Sequence, residues 1–150
     1  MKYVIDVFDI LDFFDRDDVN FAEVARKTGI SKMTLSNLRT SRSNIMNLKF
    51  FTIAILQVYI DNYFFNDDVI KILKFDDFDV FIYKDKVDMI YLKQAVIYSA
   101  VLTNSQLDQL NELYRNYIRL TDEDYANDNY DLISQIIQDV DYLISESLLE

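Results

Sequence analysis

The sequence predicts a mainly α protein, with a helical bundle over residues 1–62 and a second helical domain over 63–150. Within the second, residues 79–92 form either a short β-hairpin or pieces of helix. Three observations carry this. The chain of 150 residues has no proline and one glycine, Gly29, so it lacks the usual means of making tight turns and hairpins. Apolar residues recur at i, i+3 and i+4 through several stretches, the period of an amphipathic helix. A hydrophobic fraction of 51%, with 15% aromatics that are all Tyr or Phe, is enough for a buried core in one domain or two small ones.

Taken in order, Val4, Phe8, Leu11 and Phe14 or their neighbours predict an apolar first helix of about four turns. Asp6, Asp9, Asp12 and Asp15 drift around it by about 60° per step and read as a solvated face. Asn20 is a helix cap with Glu23 three residues on, a variant of the capping box, and predicts a helix over 21–28. Gly29 falls where a left-handed residue ends that helix, a conformation only a residue without Cβ adopts at no steric cost. Ser31 caps a second helix over 32–40 that turns Leu35 and Leu38 inward, with small Ala25 at the crossing point and Val24 and Ile30 filling the space between. Leu48, Phe51, Ile55 and Val58 mark a further helix.

Beyond Tyr63 the chain turns acidic and aromatic. Val80–Tyr83 and Met89–Leu92 flank "KDKVD" as two strands or as parts of helices. Leu107, Leu110, Tyr114, Tyr117 and Ile118 predict a helix over 105–120, and Ile133, Ile136, Ile137, Val140, Leu143 and Ile144 predict one over 130–148. The polar link "TDEDYANDN" returns the second helix antiparallel to the first.

Chemistry is constrained by what is missing. With neither cysteine nor histidine, the chain lacks the commonest general base, the soft metal ligands and the thiolate nucleophile. The expectation is a protein that is not an enzyme and takes no cofactor. Asp122, Asp124 and Asp128 share a loop, but that loop has no glycine at its bend and no closing glutamate, so no metal is expected there. Aspartates interrupt the apolar amino-terminal run, which reads as neither signal peptide nor membrane span, and the expected location is the cytoplasm.

The net charge of −11 hides an asymmetry. Residues 21–50 hold six basic side chains (Arg26, Lys27, Lys32, Arg39, Arg42, Lys49) and one acid, Glu23, a surplus of +5; the other 120 residues hold nine basic and 25 acidic, or −16. Local potential, not net charge, decides what docks on such a segment.

The pattern Ala25, Gly29–Ile30, Leu35 and Leu38, with "TGIS" and "TLSNL", resembles the phage-repressor (XRE-type) helix-turn-helix DNA-binding family over roughly residues 3–62. The resemblance implies that the second helix of the pair enters the major groove of double-stranded DNA. By motif position, Lys32, Met33 and Asn37 are then base readers, with Ser36 also facing outward. Ser31, Arg39, Thr40 and Arg42 contact phosphates. Two departures stand out: Phe21 opens the first helix of the pair where the family often has Gln, and Ser41 follows the second where glycine is common.

The family likeness implies a transcriptional regulator of phage or mobile-element type. A homodimer is expected, since one such unit contacts few bases and a two-fold pair reads two half-sites about 34 Å apart. The length, the amino-terminal unit and the acidic helical remainder are also similar in architecture to certain type II-A anti-CRISPR proteins of phages. That likeness implies autorepression by the first domain and, by the acidic second, inhibition of a basic effector nuclease.

Overall fold

The protein is described from a computed structural model in residues 5–64, 68–122 and 129–148. It is mainly helical, with a small four-stranded antiparallel sheet. The chain divides into two compact units, Met1–Asp67 with Tyr91–Val96, and Asp68–Ile90 with Ile97–Glu150.

The first unit holds α1 (Val7–Phe14), α2 (Phe21–Thr28), α3 (Lys32–Thr40), a 3-10 segment (Arg42–Asn47), α4 (Phe50–Tyr59), a π turn (Ile60–Phe64) and a short 3-10 turn at Leu92–Gln94. Its core is Ile10, Leu11, Phe13, Phe14, Val24, Leu35, Leu38, Ile45 and the buried run Ala54 to Ile60. The first helix is shorter than its periodicity suggests. Asp6 does not extend it but caps it, accepting from the N–H groups of Phe8 (3.0 Å) and Asp9 (3.2 Å). Helix α1 therefore has about two turns, and its buried face is Ile10, Leu11, Phe13 and Phe14, which leaves Phe8 on the far side, 73% exposed. Phe51 is likewise 52% exposed, because the α4 core runs through Ala54, Ile55 and Val58. Val4 lies outside the described residues.

Gln57, buried in α4, joins α1 to α4. Its carbonyl accepts from the Asp6 N–H (2.9 Å), and its amide donates to Asp61 (3.0 Å) and Asp9 (3.3 Å). Partial desolvation holds the Asp61 carboxyl above the usual range; the Gln57 donor pulls it back down and Asp9 pushes it up.

The second unit is built on β1 (Lys71–Lys74), β2 (Asp79–Ile82), β3 (Val87–Tyr91) and β4 (Val96–Ala100), in the order β1-β2-β3-β4, with α5 (Asn104–Asp122) and α6 (Tyr130–Ser145). Tyr91 and Val96, at the inner ends of β3 and β4, belong to the first unit. The hairpin around "KDKVD" pairs Ile82 with Val87 and Asp79 with Ile90. The flanking strands β1 and β4 make the sheet larger than that hairpin. Both tight turns do without glycine: Phe75 N–H donates to Phe78 C=O (3.0 Å) across Asp76–Asp77, and Tyr83 N–H donates to Lys86 C=O (2.9 Å) across Lys84–Asp85. Neither turn contains a positive φ.

Helix α5 begins with a reciprocal cap. Thr103 Oγ1 accepts from the Gln106 N–H (3.2 Å), and Gln106 Oε1 accepts from the Thr103 N–H (2.8 Å). Phe75 meets Tyr114 edge to face and Tyr117 at a tilt, at 5.4 and 4.9 Å between ring centres. Burial and the Asp76 carboxylate hold the Tyr117 hydroxyl well above the usual phenol range.

Candidate nucleic-acid interface

Two short helices and a three-residue corner make the site. Asn20 Oδ1 accepts from the N–H groups of Ala22 (3.0 Å) and Glu23 (3.3 Å), which starts α2 as its sequence dictates. Gly29 ends it at φ +77°, ψ +4°, in the left-handed region, with its N–H on Ala25 C=O at 2.9 Å. The buried Thr28 hydroxyl completes the corner by donating to Val24 C=O (2.7 Å) and accepting from the Ile30 N–H (3.2 Å). Ser31 then starts α3 by accepting from the Thr34 N–H at 3.2 Å.

Leu35 and Leu38 are 0% and 1% exposed and seat α3 on the core. The opposite face is thereby fixed outward. Lys32, Met33, Ser36 and Asn37 are all exposed, Met33 at 74%. The side chains of these four make no hydrogen bond or ion pair with other described residues. An ammonium, a thioether, a hydroxyl and a carboxamide on consecutive turns of one helix supply hydrogen-bond donors, an acceptor and an apolar contact, the groups that base edges in a major groove are read by.

The expected phosphate contacts fare differently. Arg39 is turned back into the unit: its Nε donates to Phe14 C=O at 2.8 Å, Nη2 donates to Arg16 C=O, and the guanidinium lies 4.5 Å over the Phe21 ring. It binds the carbonyls at the end of α1, so its guanidinium is already engaged. Arg42 is ion-paired with Asp15 and, at 3.3 Å, with Asp12. Those two aspartates are thus partners of a cation, not merely a solvated face. The Ser31 hydroxyl is occupied in capping, and Thr40 Oγ1 donates to Ser36 C=O at 3.1 Å. Phe21, which departs from the pattern the resemblance implies, is the platform on which Arg39 rests.

Two residues of this region carry no motif signal in the sequence. Thr28 reads as an ordinary helix residue, and its role depends on the corner it closes. Lys93 lies 64 positions from Gly29, yet its stem packs at Gly29: a Cβ added there would sit 3.7 Å from Lys93 Cε. Among the described residues, no group of three or more acidic side chains is placed to hold a metal ion; Asp124 and Asp128 lie outside the described residues. Among the same residues no helix is long and apolar enough to cross a membrane.

Comparison with known proteins adds no relative: no family model, no curated protein and no solved structure matches the chain.

Proposed function

We propose that the first unit binds double-stranded DNA with α3 in the major groove, and that the protein is a sequence-specific transcriptional regulator acting as a dimer. The observation that carries this reading is the outward face of α3, where Lys32, Met33, Ser36 and Asn37 are exposed, with no side-chain partner among the described residues, on a helix fixed by Leu35 and Leu38. Lys32 donates to guanine, Asn37 bonds adenine through both amide atoms, and Met33 packs on a thymine methyl. Arg39 positions α3 against α1, and Arg42 reaches a phosphate only by exchanging Asp12 and Asp15 for it. The unit as a whole is neutral, with nine basic and nine acidic residues, so binding is weak, and the share that cations meeting phosphates supply falls as salt rises. The test is titration of the full chain with a duplex from its own upstream region, from low to physiological salt. A complex that dissociates steeply with salt supports the reading. No complex at the lowest salt overturns it.

Charge favours a second reading beside the first. The second unit holds six basic and 17 acidic residues and so carries the whole net charge of −11. A surface of that sign attracts a basic, nucleic-acid-binding protein, as inhibition of an effector nuclease of type II requires. Pull-down of the full chain by such a nuclease, with and without guide RNA and across salt, tests it; no capture at low salt removes it.

A further inference from the structure

The structure holds a second cationic feature, away from the outward face of α3. The corner at Gly29 borders an open groove of about 560 Å³. Its polar lining includes Ser31, Thr34, Asn47, Lys49, Thr52 and Lys93. The chain has 26 acidic residues against 15 basic, yet among the described residues no carboxylate lines this groove. Its two lysines come from segments 44 positions apart, and neither forms an ion pair with a described residue. Lys93 is brought there by the Leu92–Gln94 turn, which closes through Ala95 at φ +54°, a left-handed conformation that costs an alanine energy. That turn packs against α2 and α4 within the first unit. Leu92 and Ala95 are buried on either side of exposed Lys93 and Gln94.

We propose that Lys93 and Lys49 form a phosphate clamp for the nucleic-acid backbone, a docking point that the helix pair alone lacks. This rests on the DNA-binding reading above. Its physical basis is that two lysines with no ion pair to a described residue line a groove whose other described polar lining is hydroxyls and a carboxamide, so the described lining presents cations and neutral hydrogen-bonding groups to an anion. Ser31 and Thr34 belong to both the groove and the start of α3, so a strand whose bases meet Lys32 and Met33 runs its phosphates past this opening. Point charges of this kind fix register without reading sequence.

The experiment compares the full-length protein with Lys93→Ala, Lys49→Ala, Lys93→Arg and, as a control in the second unit, Lys84→Ala. Affinity for a duplex from the protein's own upstream region and for a random duplex is measured between 50 and 200 mM salt. Each clamp lysine that meets a phosphate contributes about 0.9 to the slope of log affinity against log salt, roughly a threefold to fourfold share of the affinity lost across that range. Lys93→Ala and Lys49→Ala are expected to lower the slope by about that amount on both duplexes, while Lys93→Arg and Lys84→Ala keep it. Unchanged slopes in both alanine variants, with wild-type binding intact, overturn the clamp and leave the role of α3 standing. Absence of wild-type binding overturns both. A parallel NMR titration with inorganic phosphate follows the Gly29 and Lys93 amides; saturable shifts there without any change in DNA slope assign the groove to a small anion and overturn the backbone assignment.

Discussion

Replacing Gly29 separates two demands on that position. Its φ of +77° lies in the left-handed region, whereas the space around it is open enough that an added Cβ would meet only Lys93 side-chain carbons at 3.7–3.9 Å, ordinary contact. The cost of a side chain is therefore conformational, not a clash. Alanine in the left-handed region costs about 1–2 kcal/mol, and a β-branched residue lies toward the upper end of about 1–3 kcal/mol. Asparagine, which tolerates this region, costs least. The expected order of stability is Gly, Asn, Ala, Val. For a unit of this size each kcal/mol lowers the melting temperature by about 4–8 °C. Because the second unit has its own core, global melting is supplemented by hydrogen exchange at the buried Val24, Leu35 and Leu38 amides, which report the α2–α3 packing directly. Equal stability of Gly29→Val and the parent, or equal losses for Asn and Val, would refute the reasoning that backbone conformation sets this residue.

Further predictions follow from the same contacts. Thr28→Val keeps the shape but leaves the Ile30 N–H without its acceptor and Val24 C=O without this donor; about 1–3 kcal/mol of stability is expected to be lost, seen as a lower urea midpoint. Arg39→Lys is expected to destabilise nearly as much as Arg39→Ala, since an ammonium does not reproduce the planar fork that spans two carbonyls and lies on Phe21; full retention of melting temperature in the lysine variant would contradict this. The raised Asp61 pKa means that the protonated form stabilises the fold fully below the unfolded value of 3.8, and that this is lost as pH rises through the folded value. Asp61→Asn is thus expected to melt higher than the parent at pH 7, with the gap closing as pH falls below 3.8. Light scattering of the full chain at micromolar concentration is expected to give a dimer, and a monomer would remove the two-half-site arrangement.

Legibility varied with how local the determining physics is. Helices α2 and α3, their caps Asn20 and Ser31, and the left-handed corner are where the spacing places them, because capping and chirality act within a few residues. Helix α5 extends about two residues past its expected end and α6 stops three short. The sheet was only partly visible. Scarcity of glycine and proline argued against hairpins, yet Asp76–Asp77 and Lys84–Asp85 turn the chain without positive φ, so the premise that tight turns need glycine was too strong. Strands β1 and β4, of four and five residues, are too short to show a period. At the site, exposure of Lys32, Met33, Ser36 and Asn37 was readable from Leu35 and Leu38. The engagement of Arg39 and Arg42 was not, since their partners lie 23 to 30 positions away, and neither was the arrival of Lys93 at Gly29.

The central claim is that α3 reads bases, and selection of duplexes from a randomised pool by the full chain, beside Lys32→Ala and Asn37→Ala, tests it most directly. The account predicts an enriched motif with two-fold related half-sites. It also predicts that each variant loses preference at one position per half-site, worth about 1–3 kcal/mol, while its melting temperature and salt slope on random duplex, apart from the one lysine removed, stay near those of the parent. No enriched motif, or the same motif recovered from all three proteins, would contradict the account.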